Sequence, residues 1–210
     1  MPIYIDSAII SEVEEASRWG WIKGLTTNPT LLEKSNLTPE DTLRRLAELI
    51  NGPIFYQLTS EFIEDMMAEA KRARTILKDK LVLKIPATET GFTIAASLKD
   101  EMDCAITAIY SPAQAIIAEA AGAKYAIIYY NRAMRLLEYG ETFVKQVVDI
   151  LGGSKTMVLA ASFKSTDEVV HARHLGIEYF TIPFAVLKAM PVNELSNETV
   201  KTFNASGTGI

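Results

Sequence analysis

The stretch CAITAIYSPAQAIIAEAAGAKYAIIYY, residues 104–130, is where the fold can be read. CAITAIY (104–110) and YAIIYY (125–130) are short runs of apolar, β-branched and aromatic residues, the composition of strands. Between them Ser111 and Pro112 supply an N-cap and a proline at the first helical position, and Gly122 supplies a stop. The unit is strand, helix, strand. Most of the runs are apolar on both faces, as expected of parallel strands covered by helices on one side and by a packed interior on the other.

The same unit repeats outward in both directions. Further strand-like runs are PIYID (2–6), WIKGLTT (21–27), PIFYQL (53–58), LVLKIP (81–86), TMVLAASF (156–163) and EYFTIP (178–183), giving eight in all. Helical patterns lie between them. Thr38-Pro39 precedes the apolar stripe Leu43, Leu46 and Leu49, and Ser165 with Glu168 has the spacing of a capping box, closed by Gly176. EFIEDMMAEAKRARTI, ETGFTIAASLKDE and GETFVKQVVDILGG supply three more helices. Eight strands alternating with helices predict an α/β fold, a single (β/α)8 TIM barrel over residues 1–210 with a short C-terminal tail from about 196. A doubly wound open sheet is the alternative, but its glycine-rich first turn is missing: after the first strand stands DSAII.

Composition narrows the partners. The chain of 210 residues is 49% hydrophobic and carries a formal charge of −5, so it has no basic surplus for nucleic acid. The basic run KRAR (71–74) reads as the solvated face of a helix. No uninterrupted apolar segment reaches membrane-spanning length, since Glu119 and Lys124 break the best candidate. Acidic residues near the N-terminus do not suit a signal peptide, and a single cysteine, Cys104, suits a reducing compartment, so a cytoplasmic protein is expected. Cys104 itself reads as a small core residue.

In such a barrel chemistry sits at the C-terminal strand ends. Those ends carry Asp6, then Thr26, Thr27 and Asn28, then Gln57 and Lys84. Thr107 and Tyr110 follow, then Tyr129 with Asn131 and Arg132, and Ser162 with Lys164. The eighth end, TIPF, closes on proline and phenylalanine. Lys84 is the unusual residue, because it lies inside the apolar run LVLKIP. Two readings stand level on spacing alone. The lysine either snorkels to the rim or pairs with a carboxylate such as Asp6, or it is held in an apolar interior where desolvation leaves its amine partly neutral and able to attack a carbonyl. The second reading needs a proton acceptor, for which Asp6 is the only carboxylate at the strand ends, and hydroxyl or amide groups to handle a water, for which Gln57, Thr107 and Tyr129 are suited. A phosphorylated substrate would find donors at Arg132 and Ser162.

YIDSA, GLTTNPTLL, LVLKIPAT, TAIYSPAQA, AGAKY, NR and VLAASFK together resemble the small transaldolase and fructose 6-phosphate aldolase family, in order and spacing from residue 3 to residue 164. The resemblance implies class I aldol chemistry with no metal and no organic cofactor. Lys84 would be the Schiff-base lysine, Asp6 would take the hydroxyl proton during cleavage, and Asn28 would hold donor hydroxyls. It further implies small-molecule sugar phosphates as partners and a homo-oligomer, a pentamer or decamer. Gln57 and Tyr129 resemble the aldolase branch, in which free dihydroxyacetone is released; the transaldolases are similar but carry glutamate and phenylalanine there. Thr27 and Lys164 are taken as further substrate-binding candidates. Two departures stand out: Ala133-Met134-Arg135 follows NR where relatives commonly have isoleucine or leucine and then aspartate, and the tail VKTFNASGTGI is short. His171 and His174, three apart on a helix, read as a surface pair rather than metal ligands.

Overall fold

The structure, a computed structural model, describes residues 1–208. Eight parallel strands close a barrel in chain order: β1 (Ile3–Asp6), β2 (Ile22–Thr26), β3 (Ile54–Gln57), β4 (Leu81–Pro86), β5 (Asp103–Ile109), β6 (Tyr125–Tyr129), β7 (Met157–Ala161) and β8 (Tyr179–Pro183). β8 returns to β1, with Ile3 opposite Phe180 and Asp6 opposite Pro183. Every strand read from the sequence is present, and the barrel is the expected one.

The helices on the outside are α1 (Ile10–Ser17), α2 (Pro29–Glu33), α3 (Pro39–Leu49), α4 (Ile63–Leu77), α5 (Glu89–Leu98), α6 (Pro112–Ala120), α7 (Tyr130–Leu136), α8 (Gly140–Ile150), α9 (Thr166–His174), α10 (Phe184–Ala189) and α11 (Glu194–Ser206). Capping follows the sequence at Thr38, whose hydroxyl accepts from Asp41 N with Pro39 beginning the helix. Ser111 does more than expected, forming a full capping box with Gln114. The tail expected from about 196 is helical over most of its described length, lying within α11, which is capped by Asn193 and buries none of its side chains. Leu195 and Phe203 stand 73% and 66% exposed on it.

Two packed layers position everything else. Leu81, Leu83 and Ile85 of β4 point outward into the shell between strands and helices, while Val82 points into the barrel with Tyr4, Phe55, Tyr125 and Leu159. The rings of Tyr4 and Phe55 lie 5.4 Å apart and those of Phe55 and Tyr125 5.0 Å apart, so aromatic side chains fill the barrel's lower half. Two residues further along, on the same inward faces, come Asp6, Gln57, Lys84 and Thr107. β5 adds an irregularity. Its register against β6 shifts between Ile106 and Ile109, and Ala108 takes the left-handed φ of 61°. The extra residue keeps Ile109 outward and leaves Thr107 and Tyr110 on the side of β6 that carries Tyr129.

Cys104 is buried in the outer shell, and desolvation pushes its thiol up to about 12, as suits an inert core residue. Among the described residues no helix is long and apolar enough to cross a membrane.

Candidate active site

Lys84 answers the question its sequence raises by alternation. With Leu83 and Ile85 facing outward, its side chain enters the barrel, where only 4% of the residue is exposed. It does not reach solvent. Nζ donates to the carbonyl of Thr27 at 2.9 Å. Burial lowers its pKa from 10.5 to about 8, against the opposing pull of the Asp6 carboxylate. The snorkelling reading therefore fails, and the desolvated amine stands.

Asp6 ends β1 and stands across from Thr26, whose hydroxyl donates to Oδ1 at 2.7 Å. Thr26 Oγ1 lies 2.6 Å from Thr181 Oγ1, a partner that the sequence reading missed by taking the eighth strand end as Pro183 and Phe184 rather than the inward-facing residue before them. Desolvation raises the pKa of Asp6, while the Lys84 ammonium and the Thr26 hydroxyl pull it back. Gln57 pairs in register with Lys84, and its Oε1 is buried with no hydrogen-bond partner among the described residues. An orphaned acceptor beside a desolvated amine is a place for a water or a substrate hydroxyl. Thr107 Oγ1 donates to the Tyr129 hydroxyl at 3.0 Å, and burial raises the phenol's pKa. Tyr129 thus keeps its proton through neutral pH and can still give it away.

Above these groups opens a cavity of about 420 Å³. Asp6, Gln57, Lys84 and Tyr129 line its floor and walls, and Asn28, Arg132, Ser162 and Lys164 also line it. Asn28 caps α2, its Oδ1 accepting from Leu31 N at 2.9 Å, so its amide NH₂ is the end left for a ligand. The guanidinium of Arg132 sits 4.9 Å from the centre of the Tyr129 ring. Ser162 holds a left-handed φ of 69°, strain of a kind that gathers at functional sites. β7 stops at Ala161, so Lys164 approaches the cavity from the loop beyond the strand.

Two expected residues stand behind the cavity. Thr27 is fully buried, its hydroxyl donates to the Phe55 carbonyl at 2.9 Å, and its own carbonyl receives Lys84, so its contact is with the amine and it does not line the cavity. Thr107 is buried, and its hydroxyl bonds to that of Tyr129 rather than lining the cavity itself. Asn131 is also outside, bonded to Glu168 and Arg135. The Ala133-Met134-Arg135 departure leaves the site intact: α7 begins directly at Tyr130, Ala133 is fully buried, and Met134 packs against the outer shell.

Glu69 was not legible as special. It lies on α4 and is only 6% exposed, yet it accepts from the Tyr56 and Thr59 hydroxyls, from Ser60 Oγ and from the backbone of Thr59 and Ser60. These bonds pin the loop that follows Gln57. His171 is more engaged than a surface pair implies, with Nδ1 2.6 Å from Tyr130 Oη and Nε2 3.4 Å from Glu141.

A parallel eight-stranded barrel with a desolvated lysine and a carboxylate at its C-terminal mouth has the equipment of an enzyme that attacks carbonyls through an amine. The chain belongs to the Transaldolase/Fructose-6-phosphate aldolase family, whose match spans residues 3–208. A probable transaldolase of Desulfosudis oleivorans is 32% identical over 206 residues, 97% of this chain and 96% of its own length. One from Caldicellulosiruptor saccharolyticus is 33% identical over 207 residues, 97% and 95% of the two chains. Solved structures show the same fold at low identity. An orotidine 5'-monophosphate decarboxylase from Metallosphaera sedula aligns with a TM-score of 0.62 at 13% identity, covering 94% of this chain and 96% of that one. A mandelate oxidase aligns at 0.63 and 16% identity, covering 88% of this chain and 66% of its own.

Proposed function

We propose that this enzyme is a class I aldolase that cleaves fructose 6-phosphate or a related ketose phosphate to dihydroxyacetone and glyceraldehyde 3-phosphate, and runs the reverse addition. The observation that carries the reading is the buried amine of Lys84, with its pKa near 8, at the base of a cavity shared with Asp6 and Gln57. The neutral amine adds to the ketone carbon, and loss of water from the carbinolamine leaves an iminium. Asp6 accepts the proton of the hydroxyl on the leaving side as the carbon–carbon bond breaks, and the bonding pair moves into the iminium to give an enamine. The aldehyde departs. A proton from Tyr129, passed directly or through a water held at Gln57 Oε1, goes to the enamine carbon and returns it to an iminium. The proton that Asp6 gained passes back through that water to Tyr129, and hydrolysis then releases dihydroxyacetone and restores Lys84. Asn28 holds donor hydroxyls, and Arg132 and Ser162, with Lys164 nearby, take the phosphate.

The second reading is a transaldolase, which passes the dihydroxyacetone unit to an aldehyde acceptor such as erythrose 4-phosphate. It is favoured by the relatives described as probable transaldolases. The phenol at Tyr129 and the uncharged amide at Gln57 favour release. Borohydride trapping with dihydroxyacetone followed by mass spectrometry tests the shared chemistry, and absence of an adduct on Lys84 in folded protein defeats both readings. Glyceraldehyde 3-phosphate release with and without erythrose 4-phosphate then separates them, since a strict need for the acceptor excludes the aldolase. The proposal includes a homo-oligomer, pentamer or decamer, in the cytoplasm; the exposed Leu195, Val200 and Phe203 of α11 support the assembly, and sedimentation at micromolar concentration as a monomer would refute it.

A further inference from the structure

Glu168 does not do what its spacing from Ser165 predicts. Ser165 Oγ accepts from Glu168 N at 3.3 Å, the first half of a capping box. The carboxylate, however, does not return to the N-cap. Its Oε2 accepts from Lys164 N at 2.7 Å and its Oε1 from Asn131 Nδ2 at 2.6 Å. One carboxylate therefore ties the start of α7 to the segment that follows β7. Arg132 is the next residue after Asn131, and Lys164 is two beyond Ser162. All three of these neighbours line the cavity.

We propose that Glu168 is a positioning residue for the phosphoryl end of the substrate, fixing the spacing between Arg132 on one side and Ser162 with Lys164 on the other. The inference rests on the proposed ketose phosphate reading. Phosphate recognition depends on where its donors stand, because a displaced donor loses its bond to a fixed oxygen. Ser162 needs such support, since a serine held at φ 69° persists only where its surroundings over-determine it. The bond to Lys164 N supplies part of that constraint. Asn131 is aimed as well: Arg135 Nε donates to its Oδ1 at 3.2 Å, which turns Nδ2 toward Glu168. Arg135 thus has work in the segment where this sequence departs from its relatives.

The test compares addition of dihydroxyacetone to glyceraldehyde 3-phosphate and to unphosphorylated glyceraldehyde, using wild type, Glu168→Gln, Asn131→Ala and Arg132→Ala. Glutamine keeps one acceptor where two are used, and Asn131→Ala removes the other half of the brace without touching the start of α9. Both brace variants are expected to raise KM for the phosphorylated acceptor about tenfold while leaving kcat and the KM for glyceraldehyde nearly unchanged. Combined, they should be no worse than the worse single variant, since they break the same link. Equal losses with both acceptors would mean a merely structural role and overturn the proposal. So would unchanged KM values in the brace variants when Arg132→Ala raises KM for the phosphorylated acceptor. If Arg132→Ala also leaves KM unchanged, the phosphate assignment falls and the brace with it. Trapping of dihydroxyacetone on Lys84 involves no phosphate and is run alongside. Failure there in the wild type refutes the proposed function, whereas trapping with KM unshifted in the brace variants but raised in Arg132→Ala refutes the brace alone.

Discussion

Replacing Lys84 with methionine exposes what it takes to keep an amine inside the barrel. At pH 7 a lysine of pKa about 8 is about one-tenth neutral, whereas one at the ordinary 10.5 is neutral in about one molecule in three thousand. Burial thus raises the reactive fraction about 300-fold. The same shift weakens the fold. Between pH 8 and 10.5 the unfolded lysine keeps its proton and the folded one has lost it, so the Lys84 contribution to stability rises with pH by roughly 3 kcal/mol across that window. Lys84→Met lacks this term. Its stability advantage over the wild type should be largest below pH 8 and shrink by about that amount by pH 10.5, read by urea unfolding at a series of pH values. Adduct formation with dihydroxyacetone in the wild type should rise with a midpoint near pH 8 and vanish in the variant. A stability difference that stays constant with pH, or a trapping midpoint near 10.5, would refute the argument that desolvation activates this amine.

Other outcomes follow from the neighbours of Lys84. Because the Asp6 charge holds the lysine's pKa up, Asp6→Asn should move the trapping midpoint to lower pH while slowing carbon–carbon cleavage by about 10²- to 10⁴-fold, measured as aldehyde release. Tyr129→Phe should slow release of free dihydroxyacetone by about 10²-fold and transfer to erythrose 4-phosphate much less; equal losses in the two assays would remove its proton-donor role. Glu69→Ala should cost roughly 2–4 kcal/mol in chemical denaturation, since it strands the donors of Thr59 and Ser60. Burial by itself would raise the Glu69 pKa, but its donors from Tyr56, Ser60 and Thr59 win and lower it. Its stabilisation is therefore full above the ordinary carboxylate range and lost as pH falls through the lowered value, a decline that Glu69→Gln should not show. Ser162→Gly should relieve the left-handed strain by about 1 kcal/mol in thermal unfolding and weaken binding of phosphorylated substrates.

The strands were readable because a β-strand buried on both faces leaves a dense mark in composition, and Lys84 stood out against LVLKIP for that reason. The longer helices were readable from caps and stripes, as at Thr38 and Ser111. What escaped lacked one of these marks. α2, α7 and α10 have five, seven and six residues, too few for a 3.6-residue period to show, and α7 starts with no loop after Tyr129. α1 has Ile9 at its N-cap and no side-chain cap, so nothing announces its start. VKTFNASGTGI reads as a tail from its shortness and composition, and α11, whose apolar side chains stand exposed in the single chain, has no buried stripe for a helical period to reveal. Within the site, the residue types at the strand ends were visible, but their division of labour was not. Whether Thr27 offers a hydroxyl or a carbonyl, and whether Glu168 turns toward its own helix or across to Asn131, depends on three-dimensional partners far off in sequence.

The carbonyl of Thr27 has a consequence for the whole of the proposed reaction cycle. An ammonium has three N–H bonds, a free amine two, and the iminium formed with a ketone one. A single fixed acceptor at 2.9 Å can be served by each of them in turn. In the amine state that bond occupies one hydrogen and leaves the lone pair free to face the cavity. In the iminium state it holds the only remaining hydrogen, so the plane of the new double bond is set by the backbone of β2's end rather than by the sugar. The nitrogen changes charge and valence while its anchor stays the same, and the nucleophile is aimed before any substrate arrives.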